Sequence, residues 1–192
     1  KQQPSTIWIG SERSGIGKTT FMEYLQEQLS ELELRQLTKY TRNSLESYWS
    51  TYVYQDIVHF RDFGQSTEEQ EHIELINIYD PASYQLNMSD NNQKGRQFKS
   101  RFVFIDSNQL YIRRSKTTQD PRKLDRRRDF LYEAHSDYVP KENQSTPSKE
   151  DALKHLILHR INPLGTDFDT SEGHRSNNIK LIKQRFRSPQ FD

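Results

Sequence analysis

Thr6-Ile7-Trp8-Ile9-Gly10, followed by Ser11-Glu12-Arg13 and then Ser14-Gly15-Ile16-Gly17-Lys18-Thr19-Thr20, is the stretch on which the fold turns. The first five residues read as a short buried strand, β-branched and aromatic, ending on glycine. From Thr19 to about Leu32 the pattern becomes helical: Phe21, Leu25 and Leu29 recur every four residues, with Met22 beside the same stripe. Strand, glycine-containing loop and helix is the order a phosphate-binding loop needs. Successive backbone N–H groups form a nest for phosphate oxygens, glycines allow positive φ and close approach, and the helix start adds a partial positive charge. Ser14 to Thr20 are therefore the candidate nucleotide contacts: Ser14, Gly15, Ile16, Gly17, Lys18, Thr19 and Thr20. Lys18 is expected to bridge the β- and γ-phosphates of ATP, and the Thr19 hydroxyl to bind Mg²⁺. The full G-x-x-x-x-G-K-[ST] pattern is not met, because Glu12 stands at its first glycine and Gly10 lies two residues too early.

Working outward, an aromatic-rich stretch runs from Tyr40 to Tyr54, and Asp56–Asp62 reads as a second central strand ending on a charge. Residues 66–78 are expected to be helical. Phe102-Val103-Phe104-Ile105 is a third apolar run, closing on Asp106-Ser107-Asn108, and Phe130-Leu131-Tyr132 is a further strand candidate. Asp137–Lys149 is polar with two prolines and reads as a linker. Ala152–Ile161 reads as a short helix, and from Asn162 onward apolar residues are sparse. The expected division is a core over 1–136, then a linker, a short helix and a poorly ordered tail over 137–192. Alternating strands and helices predict an α/β domain with a mostly parallel central sheet.

Composition limits the function classes. Hydrophobic residues make up 31% of the 192, and mean hydropathy is −1.06, so the core is thin and support from subunits or a ligand, or some disordered length, is expected. With 28 Lys+Arg against 27 Asp+Glu, net charge offers no argument for nucleic acid; only local clusters can. The absence of cysteine excludes disulfides, Cys-based zinc sites and thiol catalysis. Six scattered histidines suggest no metal cluster, and no apolar run nears the ~18 residues of a membrane span. A start at Lys1 rather than Met reads as a fragment or processed product.

Several segments then resemble, in order, the superfamily 3 helicases of picorna-like positive-strand RNA viruses. Tyr40-Thr41-Arg42-Asn43, Tyr48-Trp49-Ser50-Thr51-Tyr52 and Ile57–Gln65 are similar to the aromatic stretch and acidic strand end of that family. Leu86–Ser89, Lys94-Gly95, Phe98–Val103 and Ser107-Asn108 resemble the segment leading into its sensor asparagine, and Leu124–Phe130 its arginine-finger segment. The resemblance spans about residues 5–133. It implies a P-loop NTPase of AAA+-like, three-layer α/β architecture, an ATP- and Mg²⁺-dependent RNA helicase or RNA-remodelling activity in genome replication, and a hexameric ring. It also implies single-stranded RNA (or DNA) as partner and the host cytoplasm as location, with replication membranes reached through regions outside this chain.

Residue roles follow from the same resemblance. Asp62 polarises the attacking water or holds Mg²⁺ through water; Asn108 touches the γ-phosphate or positions that water. Arg126 and Arg127 reach into a neighbouring subunit's nucleotide, and Lys94 faces single-stranded nucleic acid. On residue type alone Asp62 and Asn108 are also turn formers, Arg126–Arg128 a solvated basic face, and Lys94-Gly95 a plain turn. Tyr48, Trp49 and Tyr52 read as packing rather than base stacking. The pattern departs at Arg61, a cation where the family has the first of two acids, so that Glu12 and Arg61 both invert the sign expected around the phosphates. Two other functions remain open: a nucleotide- or RNA-binding scaffold that has lost hydrolysis, and a monomeric P-loop kinase of small molecules.

Overall fold

The computed structural model describes residues 3–43, 45–64, 70–110, 127–139 and 147–161. Along the chain run β1 (Ser5–Gly10), α1 (Lys18–Leu32), β2 (Lys39–Arg42), β3 (Ile57–Phe60), α2 (Gln70–Tyr79), β4 (Phe102–Ser107), β5 (Phe130–Ser136), α3 (Lys149–His155) and β6 (Leu156–Ile161). The strands form one six-stranded sheet in the order β2-β3-β4-β1-β5-β6. All neighbours pair in parallel except β6, which runs antiparallel to β5.

The strands are near-continuous apolar runs because helices cover both faces of a parallel sheet. Alternation along β1 shows the two sides. Ile7 and Ile9 pack with Phe21, Met22, Leu25 and Leu29 of α1, together with Phe102 and Phe104. Trp8 packs on the other side with Val58, Phe60, Val103 and Ile105, under Leu75, Ile78 and Tyr79 of α2. This is the three-layer α/β arrangement expected from the sequence. Each fully buried large side chain contributes about 1.5–3 kcal/mol of transfer free energy, so a chain short of apolar residues gains most by concentrating them in the central strands.

Part of the aromatic stretch is a packing unit, although Tyr48, read as packing, is exposed, as is Tyr54. Trp49 and Tyr52 are fully buried, with Tyr40 stacked on Trp49 at 5.5 Å and Tyr52 on Phe98 at 6.1 Å. The first residues of this stretch form β2. Beneath the aromatics Arg42 and Glu74 make a buried ion pair, 2.7 Å between Nη2 and Oε1. The Arg42 guanidinium also lies 5.0 Å over the Trp49 ring.

Two expected elements are corrected. The strand read over Asp56–Asp62 covers only Ile57–Phe60; Arg61–Gly64 is a turn in which Asp62 takes φ 52°. The chain leaves the sheet there because the Asp62 and Phe63 N–H groups both donate to Asp106, to its Oδ1 and its main-chain oxygen. The helix read over Ala152–Ile161 ends at His155. Ser148 caps its start by accepting from the Asp151 N–H, and Leu156–Ile161 then forms β6, with Leu156, Leu158 and Ile161 buried. The free edge of β5 supplies the partner that turns this alternating segment into strand. The sheet thus continues past residue 136, while residues 140–146 and 162–192 lie outside the described residues. No described helix is long and apolar enough to cross a membrane.

Candidate nucleotide site

The C-terminal ends of β1, β3 and β4 converge. Register sets Gly10 opposite Ser107 and Phe60 opposite Ile105, so the loop after β1 rises beside the ends of both neighbours. This is the edge at which open α/β sheets bind ligands. A cleft of about 220 Å³ opens there, lined by Ser14, Gly15, Gly17, Lys18, Thr19, Thr20, Asp62, Asp106, Asn108, Pro147 and Ala152. It is smaller than the ~300–1,000 Å³ of whole-ligand pockets, a size matched to a phosphate tail.

The loop has the backbone such a site needs. Gly15 and Gly17 take φ 71° and 96°, conformations that side chains resist. Gly17 caps α1 without any side-chain hydrogen bond, and no acid occupies the first turn. The leading N–H groups of the helix are thereby left for an anion. Ile16 is buried and anchors the loop in the core beside α1. From the other side α3 closes in: a Cβ on Gly17 would lie 3.0 Å from the Ala152 Cβ.

Lys18 is buried, with Nζ donating to Arg13 O at 2.8 Å and to Asn108 Oδ1 at 2.9 Å. Burial draws its ammonium below the ordinary lysine value, while the charges of Asp106 and Asp62 pull the other way. Thr19 Oγ1 lies 3.3 Å from Asp106 Oδ2. Asp106, 1% exposed, also receives His59 Nε2 at 2.8 Å and the Asp62 N–H at 2.9 Å. Burial raises the Asp106 pKa, but its hydrogen bonds from His59, Asp62 and Thr19 outweigh that and leave it below the usual carboxylate value. The turn carrying Asp62 is pinned further by Ser107 Oγ on Phe63 O (2.6 Å) and Gln109 Nε2 on Gly64 O (3.1 Å).

Of the residues singled out from sequence, Ser14, Gly15, Gly17, Lys18, Thr19, Thr20, Asp62 and Asn108 meet in this cleft, and Ile16 supports it. Glu12 and Arg61 are exposed, line none of it, and form no ion pair with each other among the described residues. Arg127 lies at the far end of β1, where its main-chain oxygen accepts from Thr6 Oγ1; Arg126 lies outside the described residues. The basic run is not one solvated face, because Arg128 is buried with its guanidinium 4.7 Å over the Trp8 ring. Lys94 is exposed beside Gly95 (φ 91°), just after a single 3-10 turn over Asn91–Gln93, and it too stands away from the cleft.

The donor set suits a magnesium nucleotide. Among the described residues no group of three or more His, Cys, Asp or Glu could hold a metal alone. Mg²⁺ asks for less: one or two carboxylates, a hydroxyl, phosphate oxygens and water. Thr19, Asp62 and Asp106 are the candidate donors for it, lining the cleft beside the glycine loop.

A sequence profile of the RNA helicase family matches residues 7–109, more than half of the chain. The chain belongs to the RNA helicase family. The RNA1 polyprotein of Cowpea mosaic virus is 30% identical over 139 residues, 71% of this chain and 7% of that protein. That of Tomato torrado virus is 30% identical over 166 residues, 80% of this chain and 8% of that protein. The genome polyprotein of Avian encephalomyelitis virus is 26% identical over 109 residues, 56% of this chain and 5% of that protein. The chain therefore spans less than a tenth of each of these relatives. Both findings agree with the motif order of a superfamily 3 helicase domain of picorna-like viruses.

Two residues of this helicase-family site escaped the sequence reading. Asp106 was legible only as the end of an apolar run, and His59 as a polar interruption of another. Their shared signal is register: His59 pairs with Phe104 on the adjacent strand, so Asp106, two residues on, points to the same face. A third group sits elsewhere. The exposed Tyr54 ring has the Arg96 guanidinium at 5.5 Å and Lys99 Nζ at 5.1 Å.

Proposed function

We propose that this chain is the ATP-hydrolysing core of a viral RNA helicase, acting as a ring-shaped oligomer, a hexamer by family resemblance, on single-stranded RNA during genome replication in the host cytoplasm. The observation that carries the reading is the convergence of Lys18, Thr19, Asp62 and Asn108 from three separate elements on one glycine-lined cleft. Bound Mg²⁺ would neutralise charge on the β- and γ-phosphates of ATP. Lys18 Nζ, held between Arg13 O and Asn108 Oδ1, moves onto the terminal phosphate. Asn108 is then free to orient a water or touch the γ-phosphate. Asp62 on its pinned turn takes that water's proton. Arg126 and Arg127 act on a neighbouring subunit's nucleotide; Arg127 stands away from its own cleft, as a residue used in trans must. An arginine supplied in this way is worth about 10³–10⁵ in rate.

For RNA the support is local charge with an aromatic. Lys94, Arg96 and Lys99 lie close in sequence, and Tyr54 offers a ring between the last two. Base stacking contributes about 1–3 kcal/mol per base without reading sequence.

The deciding measurement is ATP turnover by purified protein across protein concentration. Turnover per subunit should rise with assembly and vanish in Lys18→Ala, Arg126→Ala and Arg127→Ala. Mixing Lys18→Ala with Arg127→Ala subunits should restore part of it. No turnover at any concentration would sink the motor reading. Arg61, a cation beside Asp62, favours one second reading, a binding scaffold without hydrolysis. In that case Arg61→Asp creates turnover where the unsubstituted chain has none.

A further inference from the structure

Two carboxylates face the cleft, and they are unlike. Asp62 is exposed, sits on a turn, and meets Asp106 through its own main-chain N–H. Asp106 is buried at the end of β4, and its Oδ2 faces the hydroxyl of Thr19 at 3.3 Å. A threonine hydroxyl that gives a lone pair to a cation must send its hydrogen to another acceptor. Within the cleft Asp106 Oδ2 is the atom in position to take it. That oxygen is held by His59 Nε2 and its partner Oδ1 by the Asp62 N–H. A carboxylate has about four lone-pair sites, so Asp106 keeps capacity for one of the waters that Mg²⁺ retains.

From this geometry we infer that Asp106, rather than Asp62, is the metal-side carboxylate of the site. It orients the Thr19 hydroxyl toward Mg²⁺ and holds the metal's water shell, and His59 is its positioning residue. Asp62 is thereby left to the attacking water. The metal's acid comes from β4, and the exposed Arg61 on the β3 turn need not supply it. This inference rests on the cleft being a magnesium-nucleotide site.

The rival account of the same contacts is a purely structural clamp, with Asp106 tying the β3 turn to β4. Nucleotide affinity separates the two when a fluorescent ATP analogue is titrated once with Mg²⁺ and once with EDTA. In Asp106→Asn the affinity in EDTA should stay near that of the unsubstituted chain, while the gain produced by Mg²⁺ falls about 10–100-fold, the usual loss when a partner orienting a metal ligand is removed. Mn²⁺ bound with the nucleotide, counted by electron paramagnetic resonance, should fall in parallel. Thr19→Val should lose the same gain, and the double variant should lose little more, because the two residues act through one hydrogen bond. Equal weakening with and without Mg²⁺ would mean a structural clamp and overturn the inference. Should Asp106→Asn fail to fold, His59→Gln leaves the carboxylate in place, and an unchanged Mg²⁺ gain in that variant overturns it equally. Failure of the unsubstituted chain to bind the analogue in either buffer would remove the nucleotide reading itself, and this inference with it.

Discussion

Asp56 at the start of β3 and Asp106 at the end of β4 are the same residue type at opposite ends of neighbouring strands, and they are satisfied differently. Asp56 accepts a bidentate pair from Arg35, at 2.6 and 2.9 Å, and two more hydrogen bonds from Thr38 N and Oγ1, each 2.9 Å. Its main-chain oxygen receives the N–H groups of Arg101 and Phe102. Nearby Arg101 forms a second fork with Glu33, both contacts 2.6 Å. Among the described residues the Asp106 carboxylate receives His59, Thr19 and the Asp62 N–H, and it lines a cleft. Lys18 in the same cleft spends its hydrogen bonds on Arg13 and Asn108 instead. One end of the sheet closes its charges on each other, which serves stability. The other sets charges of both signs side by side around an open cleft, which suits a ligand that brings its own.

Lys18→Ala sharpens that contrast most. Loss of a charged group aimed at transferring phosphate costs on the order of 10²–10³ in turnover. Stability should barely change, because burial already works against the Lys18 ammonium and its removal relieves that cost. Paired ATPase rates and thermal melts check this. A melt lowered by more than ~5 °C would make Lys18 a structural residue and blur the distinction between the two ends.

How much of this was legible in the sequence depended on distance along the chain. Glycines and an apolar stripe announced the loop and α1 because the reasons for both are local. The apolar runs of β1 and β4 gave the parallel sheet for the same reason. Asp106 was hidden because its partners His59 and Thr19 lie 47 and 87 residues away, and only the order β3-β4-β1 brings them together. β6 was misread since Leu156–Ile161 carries apolar residues at spacings compatible with either period, and the exposed edge of β5 decides between them. Asp62 was read as the end of a strand and lies instead on a turn, which exists because Asp106 captures two of that turn's N–H groups.

Asp56→Asn tests the closed end. Its folded pKa is depressed, chiefly by the Arg35 hydrogen bonds. The sign is therefore that of a carboxylate whose contribution is full above the unfolded value of ~3.9 and is lost as pH falls through and below it. At pH 7 the variant should lose about 1.5–3 kcal/mol, the range for hydrogen bonds to a charged group. Nucleotide affinity should be unchanged. The gap between the two urea midpoints should begin to narrow once the pH falls below ~3.9 and close only well below pH 3, because the folded carboxylate, held far under its usual value, is the last to take a proton. A gap that persists undiminished at pH 3 would mean that Asp56 acts by shape and not by charge.

Arg35→Lys is the smallest and most selective change at the same end. It preserves the positive charge but replaces a planar fork, matched to both Asp56 oxygens, with a single ammonium. The Arg35 side chain is 47% exposed, so water screens the Coulomb part, and pairs of this kind are worth only about 0.2–1 kcal/mol. The expected loss is below ~1 kcal/mol in urea unfolding, with the pH dependence retained because Asp56 still faces a cation and keeps both Thr38 donors. A loss as large as that of Asp56→Asn would show that the fork geometry, not the two Thr38 donors, holds the N-terminal end of β3. The closed end would then depend on one exposed side chain as much as the open end depends on Lys18.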